Sequence, residues 1–306
     1  MTGLTAQQHE ARLTGIGGSD AAAVLGVSPW KTPVDVYLEK TGNSEPFEST
    51  ERMLWGNLIE PAIADEVARR MDTKLRRRNT TLRHKHHEFI IAHLDREFVG
   101  GLDGKKTILE IKTVGYASDE WGDENTDQIP QHYLAQVAHY MAVTGALQSI
   151  VAALFMPACT LKLYRVLRNV ELEGLIITAE FKFWHDHVLK QVPPPATTIT
   201  DARKLWKQDD GGLIVADGGM LDCHQALLEA KADIKDAEDR KKEMEQMIMT
   251  YMGENAELVD DAGKTLATWK SQTSRRLDTK AFSAAHPELA EEYKKATLSR
   301  VLRVKE

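Results

Sequence analysis

Cysteine is almost absent from this 306-residue chain: Cys159 and Cys223 are the only two. One pair cannot build a disulfide scaffold, and two thiols are too few for structural zinc, so the sequence points to a reducing compartment. Long apolar runs are missing as well. The longest, around Ile150 to Met156, is far short of a membrane span, and the N-terminus lacks the basic start and apolar stretch of a secretory signal. An excess of basic charge is also missing. The formal net charge of −7 excludes a globally basic nucleic-acid coat, though not a local basic channel. The balance that remains, 42% hydrophobic and 28% charged, is that of a soluble protein with enough apolar material for a core.

The three prolines at 193–195 stop any helix and have no place inside a sheet. They divide the chain into a domain at 1–192, a linker at 193–220 and a C-terminal part at 221–306. Helices are expected at 5–13, at 20–25, from Pro33 onward, and at 51–70. In the last of these, Leu54, Leu58, Ala62 or Ile63, and Val67 form the buried stripe. Strands at 88–99 and 106–114 flank GGLDG as a hairpin. A helix at 128–145, strands at 149–157 and 161–169, and a helix at 172–189 follow. That order gives an α/β fold, a mixed sheet flanked by helices.

The hairpin carries the chemistry. Glu110 and Lys112 share one face of their strand, while Leu109 and Ile111 point the other way into a core. Charges inside an apolar strand are costly unless they serve something. With the turn centred between Leu102 and Asp103, Asp95 falls opposite Glu110. Two facing carboxylates repel, and a divalent cation bound by hard oxygens, Mg²⁺ or Mn²⁺, removes the penalty. Asp103 is the competing carboxylate. It sits in the expected turn, so it projects well away from Glu110.

Asp95, Glu110 and Lys112 follow the pattern of the PD-(D/E)XK nuclease core, read here as LD…EIK. Around it stand GIGGSDAAAVLGVSPWKTPVDVY, LWGNLIEP, AHLDREF, ILEIKT and QHYLAQVAHYMAVTG, in that order. Together these closely resemble the YqaJ-like viral recombinase family, relatives of the lambda exonuclease, over about residues 8 to 190. The resemblance implies a restriction-endonuclease-like core with a helical, α+β C-terminal appendage. It also implies a metal-dependent 5′-to-3′ exonuclease that exposes 3′ single strands on duplex DNA for strand annealing. It places Glu60 with Asp95, Glu110 and the Ile111 carbonyl at Mg²⁺ (Mn²⁺ as substitute), and Lys112 at the attacking water. Gln136 and Tyr140, on one helix face, join the catalytic set, with Gln136 holding Lys112, the water or a phosphate oxygen. Arg12 and Ser19 take the phosphorylated 5′ end, and the backbone N–H groups of GIGGSD complete a phosphate nest. Partners implied are duplex DNA ends, a single-strand annealing protein and further copies of the chain, a ring trimer being the family's habit. No membrane is involved, and the setting is the bacterial cytoplasm, with a phage or prophage as source. An endonuclease on the same core and a degenerate DNA-binding protein are the rival readings.

Residues 69–87 are dense in Lys and Arg, with Asp72 their one acid. This segment, including Arg76, Arg77 and Arg78, reads as a phosphate-contacting edge. His139 is expected to border the DNA, and Trp30 and Trp55 to lie in the core or a pocket wall. Residues 221–252 form a long charged helix, a weak coiled coil or a hairpin arm. KTLATWKSQ and LSRVLRVKE are expected to pair as a small sheet, with two short helices around Pro287 between them.

Overall fold

The computed structural model describes residues 6–45, 50–115, 118–156, 158–296 and 299–305. The chain forms two compact units, Met1–Leu205 and Trp206–Glu306.

The first unit is built on a five-stranded sheet in the order β1-β4-β5-β6-β7. Its strands are β1 (Leu75–Arg76), β4 (Arg96–Phe98), β5 (Thr107–Val114), β6 (Gln148–Phe155) and β7 (Thr160–Leu167). β5 and β6 run parallel, and the other pairings are antiparallel. The parallel pair needs a crossover, supplied by α5 (Gln131–Thr144), which ends on Gly145 at φ 69°. Val137, Tyr140 and Met141 of α5 pack on the face formed by Ile108, Val151, Ala153 and Val166. Ile63, Ala64 and Val67 of α4 (Glu51–Arg70) cover the opposite face, on Leu109, Ile111, Ile150 and Ala152. Alternation along β5 thus sends Glu110 and Lys112 toward α5, as the period-two reading requires. The fold is mixed α/β.

The hairpin keeps the expected register, with Arg96 opposite Leu109 and Glu97 opposite Ile108. Its turn lies one residue further on than expected. Leu102 bridges Lys105, and Asp103 and Gly104 take φ of 50° and 71°, the left-handed pair that suits a tight hairpin. Gly100 and Gly101, at φ 80° and 78°, absorb the extra residues on the incoming side. The single strand expected at 88–99 is broken. Ile91–Ala92 (β3) pairs with Leu82–Arg83 (β2), and only Arg96–Phe98 joins the main sheet.

On α4, Leu54 and Leu58 stay about half exposed, contrary to the expected stripe. Only the C-terminal half of α4 reaches the sheet. Its first half, with Arg52, Met53, Gly56, Asn57 and Glu60, walls a cavity. Three short helices precede it: α1 (Ala6–Leu13), α2 (Gly18–Val24) and α3 (Pro33–Lys40). α3 starts on a reciprocal cap between Thr32 and Asp35 with Pro33 in its first turn. α6 (Val170–Phe183) packs on α5 and continues as a π-helical turn at Trp184–Val188. The stretch expected to be linker includes α7 (Ile199–Leu205), which belongs to the first unit. The Thr32 hydroxyl donates to buried Asp201 at 2.7 Å.

The second unit has one long helix, α8 (Gly218–Met252), a β8–β9 hairpin (Glu257–Val259 with Thr265–Thr268), and α9 (Thr279–Ala285) and α10 (Pro287–Glu292). The expected partner of β9 is therefore corrected. β9 pairs with β8, its neighbour along the chain, and residues 299–305 form no strand. The two short helices around Pro287 are present. Among the described residues, no helix is long and apolar enough to cross a membrane.

A Cβ at Gly101 would meet the Lys105 carbonyl oxygen at 2.2 Å, whereas one at Gly100 meets nothing within 4 Å. Both positions have positive φ, so Gly101→Ala adds a collision to a strain they share. It is expected to lower unfolding free energy by about 1–3 kcal/mol, and by more than Gly100→Ala, in urea titrations of the two variants.

Candidate active site

The break between β3 and β4 frees Asp95 from the ladder one step beyond Arg96. Its Oδ2 accepts the Ile111 N–H at 2.7 Å. A residue's N–H and C=O leave a strand on the same side, so the Ile111 carbonyl also faces the gap where β4 no longer pairs. Glu110, buried on the other face, accepts from Gln136 Nε2 at 2.7 Å and from Lys112 Nζ at 2.6 Å through the same Oε1. Burial raises the Asp95 carboxyl well above the usual range, and the charge of Glu110 adds to it. Burial raises Glu110 too, against the pull of Lys112. Burial opposes the charge on Lys112, but Glu110 and Asp95 outweigh it and hold Nζ above its ordinary value. Lys112 is therefore a firm cation, with the Tyr133 ring 5.1 Å away.

Gln136 and Tyr140 stand one turn apart on α5. Gln136 Nε2 also donates to the Tyr140 hydroxyl at 3.2 Å. Gln136 thus holds Glu110, which is none of the three partners expected for it, Lys112, the water or a phosphate oxygen. Burial raises the Tyr140 hydroxyl far above its ordinary value, which makes it a neutral hydrogen-bonding group. Gly18 lies against that ring. A Cβ there would sit 2.5 Å from it, so only glycine lets α2 approach α5 this closely.

That approach brings Ser19 into the same cavity, of about 710 Å³, whose walls include Arg12, Ser19, Glu60, Asp95, Glu110, Lys112, Gln136 and Tyr140. Arg12 Nη2 donates to Ser19 Oγ at 2.7 Å. The expected backbone nest is modified. Asp20, fully buried, accepts the Gly17 N–H at 3.3 Å and pairs with Lys31 and Lys40, each at 2.7 Å. Burial would raise its carboxyl, but Lys40, Lys31 and Arg12 hold it far below the usual range. Asp20 thus occupies one amide of the nest, and Arg12 and Ser19 line the cavity together with Gly17 and Gly18.

Glu60 lines the cavity, but its Oε1 accepts from Arg96 Nη1 at 2.6 Å. Among the described residues, no group of three or more His, Cys, Asp or Glu side chains is drawn together as a metal cage. The donor set that remains is two carboxylates and a backbone carbonyl, with Glu60 nearby. It suits Mg²⁺, which commonly takes one or two carboxylates and keeps water or substrate oxygens for the rest. The two raised carboxyls are the feature such a cation relieves. Asp103 is outside the site, paired with Arg165. Arg77 and Arg78 line the cavity; Arg76 does not, and it shares Glu97 Oε2 with Arg78 on the sheet edge. His139 does not border the cavity. It is fully buried between Glu180 (2.6 Å) and the Ile91 carbonyl (2.8 Å), tying α5 to α6 and β3. Trp30 is 67% exposed on the cavity wall, edge-on to His132 at 4.7 Å, while Trp55 is exposed outside it.

The profile of the YqaJ-like viral recombinase domain matches residues 7–147. A Bacillus subtilis (strain 168) protein called "Uncharacterized protein YqaJ" is 34% identical over 303 residues, 96% of this chain and 92% of that one. The chain belongs to the YqaJ-like viral recombinase family. Among solved structures it is similar to LHK-Exo in complex with dAMP (16% identity, 61% of this chain, 94% of that one, TM-score 0.49). LHK-Exo is an alkaline exonuclease from Laribacter hongkongensis. A phage-related exonuclease from Haemophilus somnus 129PT is also similar (13% identity, 58% and 96%, TM-score 0.41).

The cavity's wall residues all fall inside the segment that matches the YqaJ-like domain. Sequence reasoning missed Lys31, His132 and Tyr133 on that wall, and Arg96 next to it. Arg96, the clamp on Glu60, directly follows Asp95 in LDREF, and its position beside that carboxylate was the available signal. Tyr133 and His132 lie one helical turn before Gln136. Lys31, bonded to Asp20 at 2.7 Å and to Glu39 at 2.5 Å, carries no sequence signal at all.

Asp95 binds its proton more readily in the folded chain than in the unfolded one. As pH rises through the ordinary carboxylate range, near pH 4, the unfolded chain ionises there first and stability falls, until the folded group also ionises. In EDTA, Asp95→Asn is expected to remove this fall and to melt above the wild type at pH 8, in differential scanning calorimetry from pH 5 to 8. A lower melting temperature for the variant at pH 8 would contradict the assignment of Asp95 as a strained carboxylate.

Proposed function

We propose that this protein is a divalent-metal-dependent exonuclease that degrades one strand of duplex DNA from its 5′ end, leaving 3′ single strands for recombination by annealing. One observation carries the reading: Asp95, Glu110 and Lys112 open into the same cavity as Arg12 and Ser19. A hydrolytic centre and an anion-holding pair sharing one chamber suit an enzyme that registers a phosphorylated end one step from the bond it cuts. Membership of a viral recombinase family supports DNA as substrate and recombination as context.

A Mg²⁺ ion held by Asp95, Glu110 and the Ile111 carbonyl would acidify a bound water and offset phosphate charge. The chain's own groups do the rest. Asp95 is oriented by the Ile111 N–H and Glu110 by Gln136. Lys112 would position or deprotonate the attacking water and add positive charge near the scissile phosphate. Arg12 and Ser19 receive the 5′-phosphate with a charged and a neutral donor. Glu60, on release from Arg96, would join the residues that hold the metal. Arg77 and Arg78 on the cavity wall give sequence-independent phosphate contacts. The expected products are 5′-mononucleotides and a 3′-ended single strand.

The test is digestion of end-labelled linear duplexes carrying 5′-phosphate or 5′-hydroxyl, beside a covalently closed circle, with Mg²⁺. Mononucleotide release from phosphorylated 5′ ends, an intact circle and a loss of at least about 100-fold in Lys112→Ala are expected. Arg12→Ala is expected to lower the preference for phosphorylated ends by on the order of 10- to 100-fold. Gln136→Leu should cost about 10–100-fold in metal affinity or rate by freeing Glu110. Nicking of the circle would make the protein an endonuclease. No cleavage with either Mg²⁺ or Mn²⁺ would make it a DNA-binding protein.

A further inference from the structure

Trp30 stands exposed on a cavity wall that is mostly polar or charged, and all of that wall belongs to the first unit. An indole left in water forgoes the stabilisation that burying so large a ring would bring. Its loop nevertheless holds it firmly. Ser28 Oγ accepts the N–H groups of both Trp30 and Lys31 at 3.3 Å. Pro29 precedes it, and the Thr32–Asp35 cap of α3 follows. His132 lies at right angles to the indole, with 4.7 Å between ring centroids, and Tyr133 is tilted against it at 6.1 Å. Burial keeps His132 below its ordinary value, so the imidazole is a neutral backing ring at pH 7 rather than a phosphate ligand. Tyr133 in turn rests on Trp121, which packs on Phe155 and Tyr164 of the sheet. A perpendicular neighbour covers one face of the indole at most, so a flat ligand has a face to stack on.

The contacts on its two flanks select the ligand. Lys31, next along the chain, is paired with Asp20, the neighbour of Ser19, at 2.7 Å. On the other flank, the Tyr133 ring lies 5.1 Å from Lys112 Nζ. Trp30 is thus tied on one side to the pair assigned to the 5′-phosphate and on the other to the hydrolytic residues. The nucleotide that spans those two positions is the terminal one. Its 5′-phosphate rests on Arg12 and Ser19, and its 3′-phosphate is the group to be cut. Stacking on an aromatic ring tolerates any sequence, because every base has a π-face. We propose that Trp30, backed by His132, is a stacking platform for the nucleobase of the 5′-terminal nucleotide. The inference rests on the exonuclease reading of this chamber and adds recognition of the base to recognition of the phosphate.

The test is binding of the full chain in EDTA, by fluorescence anisotropy of duplexes labelled at the far end. Two 5′-phosphorylated duplexes differ only at the terminal position, an unpaired natural nucleotide in one and an abasic nucleotide in the other. The wild type is expected to bind the natural end about 5- to 100-fold more tightly. Trp30→Leu is expected to bind both alike, at the wild-type affinity for the abasic end, and Trp30→Tyr to regain most of the difference. Equal binding of the two duplexes by the wild type would overturn the proposal. So would a preference that survives in Trp30→Leu, which is the result a merely structural role gives, or no binding of either duplex. Digestion with Mg²⁺ separates this from the exonuclease reading. A chain that prefers the natural end but cuts nothing keeps the platform and loses the exonuclease. One that digests 5′ ends but binds natural and abasic ends alike keeps the exonuclease and loses the platform.

Discussion

Two carboxylates, Asp95 in the break before β4 and the buried Glu110 on β5, set the terms for the rest of the first unit. Asp95 and Glu110 both resist ionisation through burial, and each raises the demand on its surroundings for positive charge and donors. Those surroundings are supplied by different elements. β5 gives Asp95 the Ile111 N–H and gives Glu110 the Lys112 cation, and α5 gives Glu110 the Gln136 amide. Buried polar groups of this kind are tolerable only when each is partnered. The remaining imbalance of charge is what a divalent cation and a phosphate substrate would settle.

The close contact of α2 with α5 brings Ser19, bonded to Arg12, to the wall of the same chamber. Gly18 allows the helices to touch, and the buried ion cluster of Asp20 with Lys31 and Lys40 anchors α2 from behind. Ser19 and Arg12 are carried to the cavity by that anchoring. The proposed catalytic residues and the proposed end-recognising pair thereby share one set of elements, as stepwise removal of nucleotides from an end would require.

The site was legible where its signal was local and periodic. Period-two alternation set Glu110 and Lys112 on one face, and the hairpin register followed from strand lengths even though its turn lay one residue further on. Gly100 and Gly101 hid that shift, because a bulge changes the residue count without moving the strand pairing. What escaped depends on three-dimensional neighbours. Leu54 and Leu58 keep a helical stripe yet stay half exposed, since the sheet supports only half of α4. His139 is polar on a polar-looking helix, yet it lies between α6 and β3, where Glu180 makes its burial tolerable. β9 pairs with β8 rather than the chain's last segment because a short hairpin closes a small loop at low entropic cost. The Arg96 clamp on Glu60 joins residues far apart in sequence, and no pattern along the chain announces it.

The most direct measurement is anomalous diffraction from crystals of the full chain soaked in Mn²⁺. The account predicts a single strong peak in the cavity, within coordination distance of the Asp95 and Glu110 carboxylates and the Ile111 carbonyl, lost in Asp95→Asn. A peak elsewhere, such as the histidines at 84–87, with none between those two carboxylates, would contradict it.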